Sequence, residues 1–219
     1  MNILFIGNSY TYYNDMPKLF EALAKENGYT PAVFSVTKGG RFLSENLDPC
    51  DENGKKILDI SSENEIDVLF LQEQSCAPIN AFDRFLLGTK GLYERVKAKR
   101  TVLYATWGRK EGCEKLKSLS LTSGEMTDKL FYAYTKAAEE IGAEISPVGL
   151  CFKYLSERYP EIELYNPDLS HPSYLGSALA ALCHYVTVFA SLPSSADSLG
   201  LDKDTLSALM EAVQSKKTS

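Results

Sequence analysis

Apolar positions along this chain fall into two alternating patterns. The first is a set of short, nearly unbroken apolar runs at residues 2–6, 32–36, 67–71 and 101–105, with a weaker one at 144–147. Runs of that length, rich in Ile, Val, Leu and Phe, fit parallel strands buried on both faces. The second is a series of longer segments with apolar residues at helical spacing. In the segment at 16–27 the buried stripe is Leu19, Phe20, Leu23 and Ala24. Asp15 stands where it can cap that helix, Pro17 falls in its first turn and Gly28 at its end. Further helices are expected at 81–97, 123–141, 148–159 and 174–190, the last strongly apolar. A weaker one at 43–58 is interrupted around Pro49 and Gly54, and residues 107–122 read as a polar excursion. An amphipathic helix is expected from residue 202 onward, fraying over 216–219.

Strands alternating with helices, with no linker or repeat between them, predict a single α/β domain over residues 1–219. The expected architecture is a three-layer, doubly wound, flavodoxin-like parallel sheet of about five strands with helices on both faces. In such sheets ligands sit beyond the carboxyl ends of the strands. Ser9, Gly40 and Gln74 all lie just past strand ends, so the period of the chain alone gathers them on one rim.

Composition narrows the partners. A formal net charge of -6, with no basic stripe interleaved with aromatics, argues against nucleic acid. The densest basic stretch, Arg109, Lys110, Lys115 and Lys117, is mixed with Glu111 and Glu114 and reads as a solvated face. The apolar run at 3–6 is too short for a signal peptide, and no stretch approaches the roughly 18 apolar residues of a membrane span. A cytoplasmic protein without a membrane partner is therefore expected. Cys50, Cys76, Cys113, Cys151 and Cys183 are odd in number and widely spaced, so free thiols and no metal site are expected. Cys76 lies close to the third strand end and is either a lining residue of the site or a small buried one.

The candidate chemistry lies in two segments. Gly7-Asn8-Ser9-Tyr10-Thr11 follows the first strand directly, and Asp168-Leu169-Ser170-His171-Pro172 stands far downstream. A serine on a tight strand-to-helix turn presents its hydroxyl at the sheet edge. An Asp three residues before a His can hold that imidazole, which then takes the serine proton. The chain has only two histidines, and His184 sits inside an apolar helix, where a hydrogen-bonded core role is expected. Pro172 biases the His171 backbone toward an extended or turn form, as suits a loop reaching back over the sheet. Tyr10, Tyr12 and Tyr13 crowd the serine turn and either wall a pocket or pack on helices. Trp107, the sole tryptophan, follows the fourth strand on the same rim and is a candidate substrate contact.

These residues resemble the SGNH (GDSL-type) hydrolase superfamily. Gly7, Asn8 and Ser9 match its first block, and Asp168 and His171 match its last, Asp-x-x-His. The two intermediate blocks of the superfamily supply a glycine and an asparagine that bind the oxyanion. Lys38-Gly39-Gly40-Arg41 answers to the glycine block, with Gly40 preferred over Gly39. The third block departs from the pattern: Leu71-Gln72-Glu73-Gln74-Ser75 contains no Asn, and Gln74, or failing it Gln72, is the substitute by position. The resemblance spans nearly the whole chain. It implies a serine hydrolase of small acyl esters, often acetyl groups on carbohydrates, with Ser9, His171 and Asp168 as the triad. Ser9 N–H, Gly40 and Gln74 would form the oxyanion hole, with no cofactor and no metal. Two other readings stand beside it. One is a non-catalytic flavodoxin-like protein whose Ser9, Thr11 and Asn14 cradle a phosphate at the first βα turn. The other is a degenerate hydrolase that only binds glycans.

Overall fold

A computed structural model describes residues 1–216 of the protein. β1 (Asn2–Gly7) leads into α1 (Ser9–Tyr12), a 3-10 turn (Tyr13–Asp15) and α2 (Met16–Glu26). β2 (Ala32–Thr37) is followed by a 3-10 turn (Leu43–Leu47) and α3 (Glu52–Glu63). Then come β3 (Val68–Leu71), α4 (Ala77–Asn80), α5 (Phe82–Val96) and β4 (Arg100–Tyr104). α6 (Glu114–Leu119), α7 (Ser123–Ile141), β5 (Glu144–Ser146) and α8 (Val148–Arg158) continue the alternation. α9 (Tyr174–Phe189), a 3-10 turn (Asp197–Leu199) and α10 (Lys203–Ser215) complete it.

The five strands form one all-parallel sheet in the order β2-β1-β3-β4-β5. The side-chain period of two divides the apolar runs between two faces. Ile3, Phe5, Val68, Phe70, Val102 and Tyr104 face α2, α8, α9 and α10. Leu4, Ile6, Leu69, Leu71 and Leu103 face α3, α5 and α7, meeting Ile57, Phe85, Leu92, Tyr134 and Ala137. Phe5 stacks on Phe70 at 4.5 Å between centroids. Burying each such side chain stabilises by roughly 1.5–3 kcal/mol, which is why both strand faces are apolar. Because the winding direction reverses at β1, the carboxyl ends of β1, β2 and β3 open a crevice between their following loops.

The strand-and-helix alternation and the five-strand parallel sheet match expectation, and most boundaries shift by only one residue. The larger differences have local causes. Asp15 does not cap α2: it sits in left-handed backbone (φ 52), makes no capping bond and pairs with Lys18. The weak helix at 43–58 is a 3-10 turn followed by α3, because the Asp51 carboxylate caps the Asn53 and Gly54 N–H groups and restarts the chain there. α6 lies inside the expected polar excursion, with Leu116 buried against Met126 and Leu130. Short α1 and α4 carry too few residues for a periodic signal. The expected fraying falls largely on residues 217–219, outside the described residues. No helix among the described residues is long and apolar enough to cross a membrane.

Candidate active site

Gly7 ends β1 where a Cβ would come within 2.4 Å of Thr11 Oγ1 and 2.7 Å of Gln72 Oε1. Glycine therefore lets the chain turn tightly over the Gln72 side chain. Gln72 Oε1 accepts the Asn8 N–H and the Thr11 hydroxyl, both at 2.9 Å. Its amide nitrogen donates to the Glu73 carbonyl. Asn8 caps α1 through its Oδ1, which accepts the Tyr10 N–H, and its amide donates to the Arg41 carbonyl at 3.1 Å. The Ser9 turn is thus tied to β3 on one side and to the turn after β2 on the other.

His171 reaches Ser9 from the opposite wall. Its Nε2 lies 2.9 Å from Ser9 Oγ, and its Nδ1 lies 2.5 Å from Asp168 Oδ2. The other carboxylate oxygen accepts the Ser170 and His171 N–H groups at 3.0 and 2.9 Å. A carboxylate can only accept, so Nδ1 carries the ring proton and Nε2 is left as acceptor toward the Ser9 hydroxyl. Burial works against the Asp168 charge, but the bonds from the His171 ring and from the two backbone N–H groups prevail. They hold its pKa below the usual carboxylate range. Asp168 does not cap α9; Ser173 does, accepting the Gly176 N–H.

Two of the tyrosines at the serine turn pack against the His171 ring. Tyr13 stacks on the His171 ring at 4.3 Å, and Tyr10 meets its edge at 5.7 Å. Trp107, the candidate substrate contact, is fully buried between Tyr10 and Phe152. Its indole N–H donates to the Ser170 carbonyl at 3.1 Å, bracing the Asp168–His171 loop. Of the three tyrosines, Tyr12 is the exposed one.

A cavity of about 280 Å³ opens in front of Ser9, lined by Gly40, Gln74, Ser75, Arg109, Asp168 and His171 among others. Gly40 has φ +68, a left-handed position that suits glycine. Gly39 is not in the lining. The backbone N–H groups of Ser9 and Gly40 donate to no other group among the described residues. Gln74 Oε1 accepts the Cys76 and Ala77 N–H groups at 2.9 and 3.2 Å. Those two donors fix which end of the amide is oxygen, leaving Nε2 with one long contact of 3.4 Å to Ser75 Oγ. Gln72, by contrast, is buried beneath the Ser9 turn. Thr11 and Asn14, the other members of the phosphate alternative, are used internally. Thr11 bonds Gln72, and Asn14 Nδ2 donates to the Pro172 and Ser173 carbonyls and to Ser177. His184 is a core residue, bonded through Nδ1 to Ser146 Oγ at 2.8 Å.

Sequence reasoning missed two parts of this site. Asn14 ties the Ser9 turn to the His171 loop across more than 150 residues, a contact with no local signal. Arg109 is half-buried in the cavity wall rather than part of a solvated face. Its place directly after β4, on the same rim as the other candidates, was the available signal.

Known proteins extend the comparison. A solved structure from Slackia heliotrinireducens, described as a candidate SGNH hydrolase, is 33% identical. It covers 86% of this chain and 98% of its own, with a TM-score of 0.75. A DUF4886 family protein from Bacteroides uniformis is 18% identical over 98% of this chain and 93% of its own, at a TM-score of 0.82. An acetyl xylan esterase shares the fold at 13% identity and a TM-score of 0.62, over 86% of this chain and all of its own. No protein-family model matches the chain, and no curated protein does. With a third of its residues shared over nearly the full length of the first structure, the chain belongs to the SGNH hydrolase family.

Proposed function

We propose that the protein is a serine esterase acting on small acyl esters, acetyl esters first among them, with Ser9 as nucleophile, His171 as general base and acid, and Asp168 as its orienting carboxylate. The observation that carries this reading is the unbroken line from Ser9 Oγ through the His171 ring to Asp168, at 2.9 and 2.5 Å. Ser9 Oγ attacks the ester carbonyl carbon while its proton passes to His171 Nε2. The carbonyl oxygen becomes an oxyanion and takes hydrogen bonds from the Ser9 and Gly40 backbone N–H groups and from Gln74 Nε2. Asp168 stabilises the imidazolium that forms. Collapse breaks the bond to the alcohol, which leaves with the proton from His171 Nε2. Water then attacks the acyl-Ser9 ester by the same route in reverse, releasing the acid and restoring the hydroxyl.

The internal use of Thr11 and Asn14 removes two of the three side-chain donors of the phosphate cradle, which favours the esterase reading over the flavodoxin-like one. Acetylated carbohydrates are one substrate class within the proposal; the acetyl xylan esterase that shares the fold acts on such material. The test is a screen of short-chain and acetylated-sugar esters with wild type and Ser9→Ala, together with a serine-reactive phosphonate. Turnover that disappears in Ser9→Ala, with phosphonate mapped to Ser9 alone, supports the reading. Labelling that is absent or scattered over several serines, or turnover that survives in Ser9→Ala, overturns it.

A further inference from the structure

Arg109 stands apart from every other arginine in the protein. Arg41, Arg84, Arg100 and Arg158 each meet a carboxylate within 4 Å, and Arg95 donates to the carbonyls of Asn46 and Leu47. Arg109 has no carboxylate within that distance among the described residues. Its Nη2 donates to the Ser75 hydroxyl at 3.0 Å, and the Cys76 thiol beside it is only a weak acceptor. Its Nε is buried with no hydrogen-bond partner among the described residues. A guanidinium offers five donors and stays charged under all ordinary conditions. Leaving most of them poorly matched at a half-buried position costs free energy unless something else occupies them.

The position is held rather than accidental. On one side the Gly108 N–H donates to Thr127 Oγ1 at 2.9 Å, and the Gly108 carbonyl accepts the Tyr165 hydroxyl at 2.9 Å. On the other side the Lys110 N–H donates to the Leu169 carbonyl at 2.9 Å, within the loop that carries Asp168 and His171. Both flanks of Arg109 are therefore fixed relative to Ser9. The one carboxylate in the cavity wall, Asp168, is already committed to His171. In a chain of net charge -6, the wall facing the candidate nucleophile thus presents an unmatched cation.

We infer that Arg109 is a specificity-determining residue that binds an anionic group, a carboxylate or its equivalent, on the ester substrate. The inference rests on the esterase reading for the word substrate, but the anion site itself does not depend on turnover. Carboxylate and guanidinium pair through two parallel N–H···O bonds, which here would come from the two terminal nitrogens, Nε being sealed off by burial. The anion belongs either to the acyl part or to the alcohol part of the ester.

Matched ester pairs separate these sources. 4-Acetoxybenzoate against neutral 4-acetoxybenzamide places the charge on the alcohol side. The 4-nitrophenyl monoester of succinate against that of succinamic acid places it on the acyl side. Expected is a preference of ~10–100-fold in kcat/KM for the charged member of one pair, carried mainly by KM. Arg109→Gln should erase that preference, and Arg109→Lys should keep part of it. Calorimetry on Ser9→Ala with 4-acetoxybenzoate, 4-acetoxybenzamide and both succinyl esters reads the same contact without turnover. If wild type hydrolyses all four esters with no preference for charge, and Ser9→Ala binds no charged member more tightly, the inference is overturned while the esterase reading stands. If Arg109→Gln loses charged and neutral esters equally, Arg109 serves the reaction itself, and the inference is overturned. If no ester is turned over but charge-dependent binding persists and vanishes with Arg109→Gln in the Ser9→Ala background, the anion site stands and the esterase reading fails.

Discussion

The two histidines occupy opposite environments, and the contrast shows how surroundings assign chemistry to a residue type. His171 sits in a loop at the rim, about a quarter exposed, with one ring nitrogen on a carboxylate and the other on a serine hydroxyl. His184 sits in the middle of α9, fully buried against the rings of Phe5, Phe70 and Tyr104. Its Nδ1 meets Ser146, and its Nε2 has no hydrogen-bond partner among the described residues. An imidazole that must take and return a proton needs a group to stabilise its cation, and only His171 has one. At His184, burial alone pushes the pKa down to about 3, so the ring is a neutral packing element.

The largest separation between the two is expected in turnover. His171→Ala and Ser9→Ala should each lose up to ~10⁶ in kcat on a short-chain ester, because a nucleophile and its base act as one unit. His184→Ala should keep turnover in whatever fraction folds. A folded His171→Ala enzyme with normal kcat, its fold checked by circular dichroism, would remove the basis of the contrast.

The next effect is the reverse case, where His184 dominates. The unfolded chain binds a proton at His184 below its ordinary value of 6.5, whereas the native protein does so only near 3. Stability contributed by the neutral ring is complete above pH 6.5 and drains away as the pH falls toward 3. Each tenfold change in proton affinity is ~1.4 kcal/mol, so the full loss reaches about 5 kcal/mol. His184→Leu removes the titrating group, so its denaturant stability should fall less than that of wild type between pH 7 and pH 4. Parallel profiles for the two proteins would contradict the assignment.

A third comparison concerns the two glutamines that flank Glu73. Gln74→Ala should lower kcat by about 10²–10³ with little change in Tm, the range expected for one lost oxyanion donor. Gln74→Asn should keep part of the activity on a shorter arm. Gln72→Ala should instead lower Tm, because it strands the Asn8 N–H and the Thr11 hydroxyl beneath the turn. Normal turnover in Gln74→Ala would leave the oxyanion to backbone groups.

These residues also mark how far the sequence could be read. The strands were legible because each is an apolar run of the right length, and the meeting of Ser9, Asp168 and His171 could be anticipated because their short motifs lie at a strand end and in one loop. What stayed hidden depends on contacts between distant segments. Trp107 looked like a substrate contact, but its burial is decided by Tyr10 and Phe152, far away in the chain. Arg109 looked like one more surface charge, since neighbouring Lys110 and Glu111 set the local composition. No pattern of period two or 3.6 reports which arginine lacks both a carboxylate partner and a set of carbonyls to bond.

The smallest expected effect belongs to Glu73, a buried carboxyl group between the two glutamines, and it runs opposite in sign to that of His184. Both its oxygens accept the Leu43 N–H at 3.2 Å, and one accepts the Gln74 N–H at 2.5 Å. Burial pushes its pKa up from 4.5 to about 7, more than those two bonds and the nearby Arg84 pull it down, and Glu45 adds to the rise. The native protein therefore keeps a proton that the unfolded chain releases above 4.5. Stability from Glu73 is complete below pH 4.5, falls as the pH rises through 7, and levels off beyond it. The difference in proton affinity between the two states corresponds to about 3 kcal/mol. Between pH 4.5 and 6.5 this trend opposes that of His184, so the wild-type profile is flatter there than either residue alone would make it. Glu73→Gln retains an oxygen to accept one of the two N–H groups but cannot titrate. Chemical denaturation should then show Glu73→Gln losing less stability than wild type between pH 5 and pH 8, while its acid limb below pH 6.5 becomes steeper. A Glu73→Gln profile parallel to that of wild type would mean that the carboxyl group is already ionised at pH 5. In that case the two N–H donors outweigh burial.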